Sequence, residues 1–180
     1  FGQNFLTNDK IAEDIVSFLS DSKTKTILEI GPGKGILTKN LIKKSYKKKK
    51  FIEIDSDCIE YLKIKFDGID NDLINKDFLK IDLNSFDKPI SIIGNFPYNI
   101  SSQILFKIYE NKNIINEMVG MFQLEVAERI CSNFGTKKYG ILSVLIQAFF
   151  EVKMMKKIKP KSFFPVPNVD SAVIRISKKN

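Results

Sequence analysis

Two hydrophobic periods take turns along this chain. Ile11, Ile15, Phe18 and Leu19 fall on one face of a helix over 11–19. TILEIG (26–31) then reads as a short buried strand running into glycines, and ILTKNLIKKS (36–45) as a helix. The pair recurs as strand 50–55 with helix 57–66, and as strand 72–75 followed by KDFLKID. Strand 89–95 leads to helix 101–110, with Ser101 or Ser102 as its cap, and strand 117–123 to helix 124–130. Helix 139–150 passes into strand 150–158, a proline-rich loop covers 159–168, and SAVIRIS (171–177) is a seventh strand. Such alternation predicts an α/β fold, a mostly parallel sheet with helices on both faces. No helix separates the last two strands, so they are expected to pair antiparallel at one edge. Nothing in the pattern marks an interdomain linker, and 180 residues suit one domain.

Composition narrows the chemistry. The chain has no His, which excludes Ser-His-Asp and Cys-His nucleophile pairs, HExxH zinc sites and an imidazole base. Its two cysteines cannot build a Cys₄ zinc site, and no metal is expected. Cys58 and Cys131 lie in helical contexts and read as buried thiols of a reducing compartment. No apolar run approaches the ~18 residues of a membrane span. The chain starts at Phe1 without an initiator Met, as a trimmed fragment would.

Charge adds less than its size suggests. Lys+Arg number 29 against Asp+Glu 21, a net +8. All but Arg129 and Arg175 of those cations are lysines, and Ile and Asn are abundant, as in AT-rich coding. The balance still favours an anionic partner such as nucleic acid. The densest run, KKSYKKKK (43–50), precedes a strand and therefore belongs at the end of a parallel sheet opposite the ligand crevice. Lys137, Lys138, Lys159 and Lys161 are better placed to serve a catalytic mouth.

Four segments carry candidate chemistry. EIGPGKG (29–35) lies between a strand and a helix, where Gly31, Gly33 and Gly35 allow a sharp turn and close approach of a ligand. It fits neither GxGxxG nor a P-loop, and a structural turn would use the same glycines. Glu53 follows Gly31 by 22 residues and ends the next strand, the position at which a carboxylate accepts both ribose hydroxyls of a nucleoside cofactor. Asp77, in KDF (76–78), ends the third strand; it is either a turn residue or an acceptor for an adenine amino group, with Phe78 beside the ring. GNFPYNIS (94–101) follows the fourth strand and is the most specific of the four. An exocyclic adenine amine is a poor nucleophile because its lone pair is delocalised. The Asn95 carbonyl and a backbone carbonyl near Phe96–Pro97 would accept both its N–H groups and aim the lone pair at a methyl donor. Pro97 stiffens the turn, and Tyr98 offers a ring for a flipped base. The nitrogen becomes acidic as it gains the methyl group, so positioning, rather than a base with a pKa near 7, carries the reaction.

In order and spacing, QNFL (3–6), EIGPGKG, IEID, KDF, GNFPYNIS, MFQLEVAERI (121–130), YGILSV (139–144) and SFFPVPNVDSAVI (162–174) resemble the ribosomal RNA adenine N6-dimethyltransferase family. The resemblance implies a Rossmann-like class I S-adenosylmethionine-dependent methyltransferase domain over 1–180, acting on adjacent adenosines near the 3′ end of small-subunit (16S) rRNA. It places cofactor contacts on Asn4, Leu6, Gly31, Glu53, Asp77 and Asn95, with Gln3 beside them. The target-amine motif falls on Asn95, Pro97 and Tyr98. Phe163 matches an aromatic that holds the base from its other side, and a loop anchor packed on the core is the competing reading. Phe96 stands where the family has Leu or Ile, and its larger ring is expected to narrow the pocket. Asp170 and Ser171 are expected to set a turn. The family's basic N-terminal segment and C-terminal helical domain have no counterpart in this chain, so good cofactor binding and poor methylation of ribosomal substrate are expected.

The resemblance implies S-adenosyl-L-methionine as cofactor, and small-subunit rRNA in a pre-30S particle as partner. A monomer in a bacterial cytoplasm, with an organelle as the alternative, is the expected setting. Three rivals remain: a large-subunit (23S) adenine methylase of the macrolide-resistance type, a non-catalytic assembly factor, and a DNA adenine methylase. YNISSQILFKI and the FPVPNVDS loop count against the first. The intact Asn95, Pro97, Tyr98 and Glu53 count against the second, and Phe96 in place of a second Pro against the third.

Overall fold

Every residue of Thr26–Ile30 is buried, as a strand covered on both faces requires. The computed structural model describes residues 3–20 and 23–179. In chain order they form β1 (Phe5–Leu6), α1 (Asp9–Ser17), β2 (Thr26–Ile30), α2 (Thr38–Leu41), β3 (Lys48–Glu53) and α3 (Ser56–Lys65). There follow β4 (Leu73–Asn75), β5 (Ile90–Asn95), α4 (Ser101–Glu110), β6 (Ile115–Gln123) and α5 (Leu124–Cys131). The chain ends with α6 (Ile141–Phe149), β7 (Phe150–Ile158), β8 (Phe163–Phe164) and β9 (Ser171–Lys178).

Seven strands make one sheet in the order β4-β3-β2-β5-β6-β9-β7. β4, β3, β2, β5 and β6 are parallel neighbours, and β9 runs antiparallel to both β6 and β7. The expected antiparallel edge is thus present, with β9 inserted between β6 and β7. One core forms between the sheet and α4, α5 and α6, through Ile104, Leu105, Ile108, Ala127, Ile130 and Ile146. The other forms with α1 and α2, through Ala12, Ile15, Val16, Leu37 and Leu41. Register brings Ile30 opposite Gly94, Glu53 opposite Asn75 and Asn95 opposite Met121, so the carboxyl ends of the parallel strands open on one side of the molecule.

Three local expectations change. Helix 36–45 shrinks to the four residues of α2, because 36 and 37 belong to the turns that follow the glycine loop and 42 and 43 to a turn beyond Leu41. Neither Ser101 nor Ser102 caps α4: a 3-10 turn, Tyr98–Ile100, runs straight into the helix, Ile100 holds the cap position, and Ser101 Oγ donates to the Pro97 carbonyl at 3.3 Å. The loop after β7 is not free coil, since β8 pairs antiparallel with β1, Phe5 opposite Phe164 and Leu6 opposite Phe163. Both cysteines are free thiols, Cys58 buried and Cys131 half-buried. Burial pushes each up to about 11, so neither is a nucleophile at neutral pH.

Candidate active site

The glycine loop closes over the end of β2. Gly33 has φ +55, and a Cβ there would come within 2.9 Å of the Phe5 ring, so only glycine fits beneath it. Its N–H donates to Glu53 Oε2 at 3.0 Å, while Glu53 Oε1 accepts from the Asp55 N–H at 3.0 Å. Asn75 Nδ2 donates to the Glu53 and Ile54 carbonyls at 2.9 and 3.2 Å, fixing the backbone that presents the acid. Glu53 is therefore buried and tied to the loop, and half-exposed Ile54 follows it at the rim.

Two cavities share Phe5, Gly31, Gly33 and Asn95 in their walls. They form one cleft at the carboxyl ends of the strands, where ligands bind in open α/β sheets. A Cβ at Gly31 would meet nothing within 4 Å, so the backbone there lies open to a ligand. An open backbone on the loop that Glu53 ties down suits the nucleoside of S-adenosylmethionine; Glu53 and Asp77 themselves stand in the wall of neither cavity.

Asn95 sits in the wall common to both cavities. Its Nδ2 donates to the Asn4 carbonyl at 3.0 Å, and Asn4 Nδ2 donates to the Pro165 carbonyl at 3.2 Å. With the nitrogen engaged, the amide oxygen is the side chain's remaining acceptor. The Pro97 carbonyl already accepts from the Ile100 N–H and Ser101 Oγ, both at 3.3 Å, which leaves the Phe96 carbonyl as the second acceptor on the motif. Tyr98 lines the cleft, its hydroxyl hydrogen-bonded to Ser171 Oγ at 2.8 Å. Ser171 thus anchors the tyrosine as well as opening β9. Asp170 instead takes an ion pair from Lys159 at 2.8 Å and, by its carbonyl, the Leu124 N–H.

Three side chains depart from expectation. The Phe96 ring is 1 % exposed and lies in the core against Phe122, centroids 5.2 Å apart, over Gly94 and Gly120. Glycines beneath it take up its bulk, so the ring does not narrow the pocket. Phe78 is also a core ring and stands beside no open face. Phe163 is 2 % exposed and packs with Leu6, whereas Phe164 is 71 % exposed. Residues opposed on an antiparallel ladder share a face. Leu6 and Phe163 take the core face, Leu6 also reaching the wall of the smaller cavity, and Phe164 shares the face of Phe5, which lines the cleft. In this arrangement Phe163 is the loop anchor and has no ring face for a base. Asp77 caps a turn, its Oδ1 accepting from the Leu79 N–H at 2.9 Å.

Two residues not singled out in the sequence belong to the site. Phe5 bridges the two cavities. Glu29 is fully buried at the wall of the smaller one, where its Oε2 accepts from Thr38 Oγ1 at 2.8 Å. Burial pushes its carboxyl up to about 8; the Glu53 charge adds to the rise, and the Thr38 hydrogen bond opposes it. A lone acid inside the apolar run TILEIG was the available signal.

The lysines sort as the strand polarity dictates. Lys48 and Lys50 lie at the amino-end half of β3, paired with Asp87 and Asp72 at 2.8 and 2.7 Å, away from the cleft. Lys138 pairs with Glu128, whereas Lys161 is exposed just before β8.

The model of the ribosomal RNA adenine dimethylase family matches residues 1–180. The ribosomal RNA small subunit methyltransferase A of Cytophaga hutchinsonii is 47% identical over 99% of this chain and 70% of its own length. Among solved structures, a dimethyladenosine transferase from Plasmodium falciparum superposes with TM-score 0.86 at 32% identity, over 97% of this chain and 63% of that one. The 23S rRNA methyltransferase ErmE does so with TM-score 0.86 at 30% identity, over 98% and 70%. The chain spans about two thirds of the length of these relatives. The cleft thus sits in a methyltransferase of the class I fold, and the chain belongs to the ribosomal RNA adenine dimethylase family.

Proposed function

We propose that this chain is the catalytic domain, over 1–180, of an enzyme that moves methyl groups from S-adenosylmethionine to N6 of adjacent adenosines near the 3′ end of small-subunit rRNA. The observation that carries the reading is the locked Asn95 amide in the wall common to both cavities: Nδ2 is held by the Asn4 carbonyl at 3.0 Å, which leaves the oxygen as the side chain's remaining acceptor. S-adenosylmethionine supplies an electrophilic methyl group. Gly31 gives it an open backbone, the Glu53 carboxylate takes the ribose hydroxyls with its remaining lone pairs, Asp77 takes the adenine amino group, and Asn4 and Leu6 cover it from the N-terminal segment. The Asn95 oxygen and the Phe96 carbonyl accept the two N–H groups of the target amine. That turns its lone pair toward the methyl group and holds the approach in line. Pro97 fixes the turn, and Tyr98, tethered by Ser171, provides the stacking face. Phe164 provides the opposing ring in the role expected of Phe163. As the nitrogen–methyl bond formed, the sulfur–methyl bond of the donor would break and S-adenosylhomocysteine would leave, and the amine proton would pass to water. Its partner is small-subunit rRNA in an assembling particle, and the protein acts as a cytoplasmic monomer.

The test gives the full-length protein labelled S-adenosylmethionine with immature small subunits, large subunits or DNA. Label is expected in mapped small-subunit adenosines and is expected to vanish in Asn95→Ala. Label confined to large-subunit RNA would assign the resistance-type activity instead, and none in any substrate would favour an assembly factor.

A further inference from the structure

Lys107 stands in the last turn of α4, half-buried, with no part in the chemistry described above. Its ammonium donates to the carbonyls of Leu79 at 3.1 Å and Ile81 at 2.7 Å, and lies 5.4 Å from the centre of the Phe78 ring. All three residues lie just after Asp77. The turn is clamped from two sides: the Asp77 carboxylate holds the Leu79 N–H, and Lys107 holds the Leu79 carbonyl. Desolvation lowers the Lys107 pKa, while the facing carboxylates of Glu110, Asp77 and Asp82 favour its charged form. An apolar side chain would cover Phe78 without that desolvation cost, so the ammonium has a task that packing alone does not demand. The helix that carries it starts at Ser101, shortly after the segment Asn95–Tyr98. One short rod therefore joins the methyl-acceptor motif to the turn that presents Asp77.

We propose that Lys107 is a positioning residue: through the Leu79 and Ile81 carbonyls it holds the Asp77 carboxylate where it selects a 6-amino purine in the methyl donor. The proposal rests on the assignment of Asp77 to the donor's adenine amine. A site built to receive an N–H group discriminates strongly against an analogue lacking it, provided the acceptor is held rigidly.

Calorimetry on the full chain with S-adenosylhomocysteine and S-inosylhomocysteine tests it. Lys107→Met is expected to weaken the adenine ligand about tenfold and the hypoxanthine ligand less than about twofold, so that the preference shrinks. In methylation assays KM for the donor rises while kcat stays near wild type. Lys107→Gln keeps one neutral donor and is expected midway, at about threefold; if Lys107→Met does not fold, this narrowing of the preference decides the question. Asp77→Ala is the control for the underlying assignment and should abolish the preference. If Asp77→Ala leaves the preference intact, the adenine assignment itself fails, and the proposal with it. If Asp77→Ala abolishes the preference but the Lys107 variants weaken both ligands equally, or neither, Lys107 is only a brace and the proposal is overturned.

Discussion

Glu29 and Glu53 flank the same glycine loop under different conditions. Glu53 accepts two backbone N–H groups, from Gly33 and Asp55, whereas Glu29 accepts from the Thr38 hydroxyl at the wall of the smaller cavity. Burial pushes the Glu29 carboxyl up to about 8 from a usual 4.5. The native state therefore keeps a proton that the unfolded chain releases. Its contribution to stability is full below the unfolded value and is lost as pH rises through the folded one, a window from about 4.5 to about 8. Glu29→Gln preserves the shape and removes the titration. The variant is expected to gain on the wild type as pH rises, the gap widening by about 4 kcal/mol between roughly pH 5 and 8.5. Chemical denaturation of both proteins across that range measures it. A gap independent of pH would mean that Glu29 is already ionised in the native protein.

The two-residue strands β1 and β8 show what an element this small does. Their ladder fixes the N-terminal segment over the glycine loop and divides four side chains between core and cleft. Phe163→Ala should then act on stability, costing about 3–5 kcal/mol, because it empties a fully buried site. Phe164→Ala removes an exposed ring and should leave the melting temperature within about 1 °C of wild type, as surface changes commonly do, while methylation of ribosomal substrate falls. Melting curves and single-turnover methylation on the two variants separate the roles. The reverse pattern would restore Phe163 as the base-facing ring. Element by element, the sheet outside three-residue β4 was legible because five to nine apolar or alternating residues bounded by turns are a strong local signal, as at Thr26–Ile30 and Ile90–Asn95. β1 and β8 were not, because two residues have no period and their pairing spans 5 to 164 in sequence. In the site, Asn95 and Tyr98 were legible from a motif placed at a strand end. Phe164, Lys107 and the burial of Phe96 were not. Each depends on which partner the fold brings near: a facing strand, two carbonyls, or a pair of glycines.

At the scale of the whole molecule, strand direction divides the charge. All five parallel strands point their carboxyl ends at the cleft, so the turns that feed β3 lie on the far side, and with them Lys43 and Lys44. Part of that basic run is neutralised locally, by Asp87 on Lys48 and Asp72 on Lys50. The loop from 159 to 170 returns over the cleft side, where Lys159 is paired with Asp170 and Lys161 stands exposed beside β8. A net charge of +8 therefore overstates the charge that an RNA in the cleft would meet. The slope of log affinity against log salt reports how many phosphates a protein neutralises, at roughly one unit of slope per phosphate. Lys161→Ala is expected to reduce that slope by about one for an adenosine-bearing RNA from the small-subunit 3′ end, whereas Lys44→Ala leaves it unchanged. Fluorescence titrations over a series of salt concentrations would measure both. Equal reductions from the two substitutions would mean that RNA wraps to the far end of the sheet, and that the run at 43–50 is a second docking surface rather than a consequence of composition.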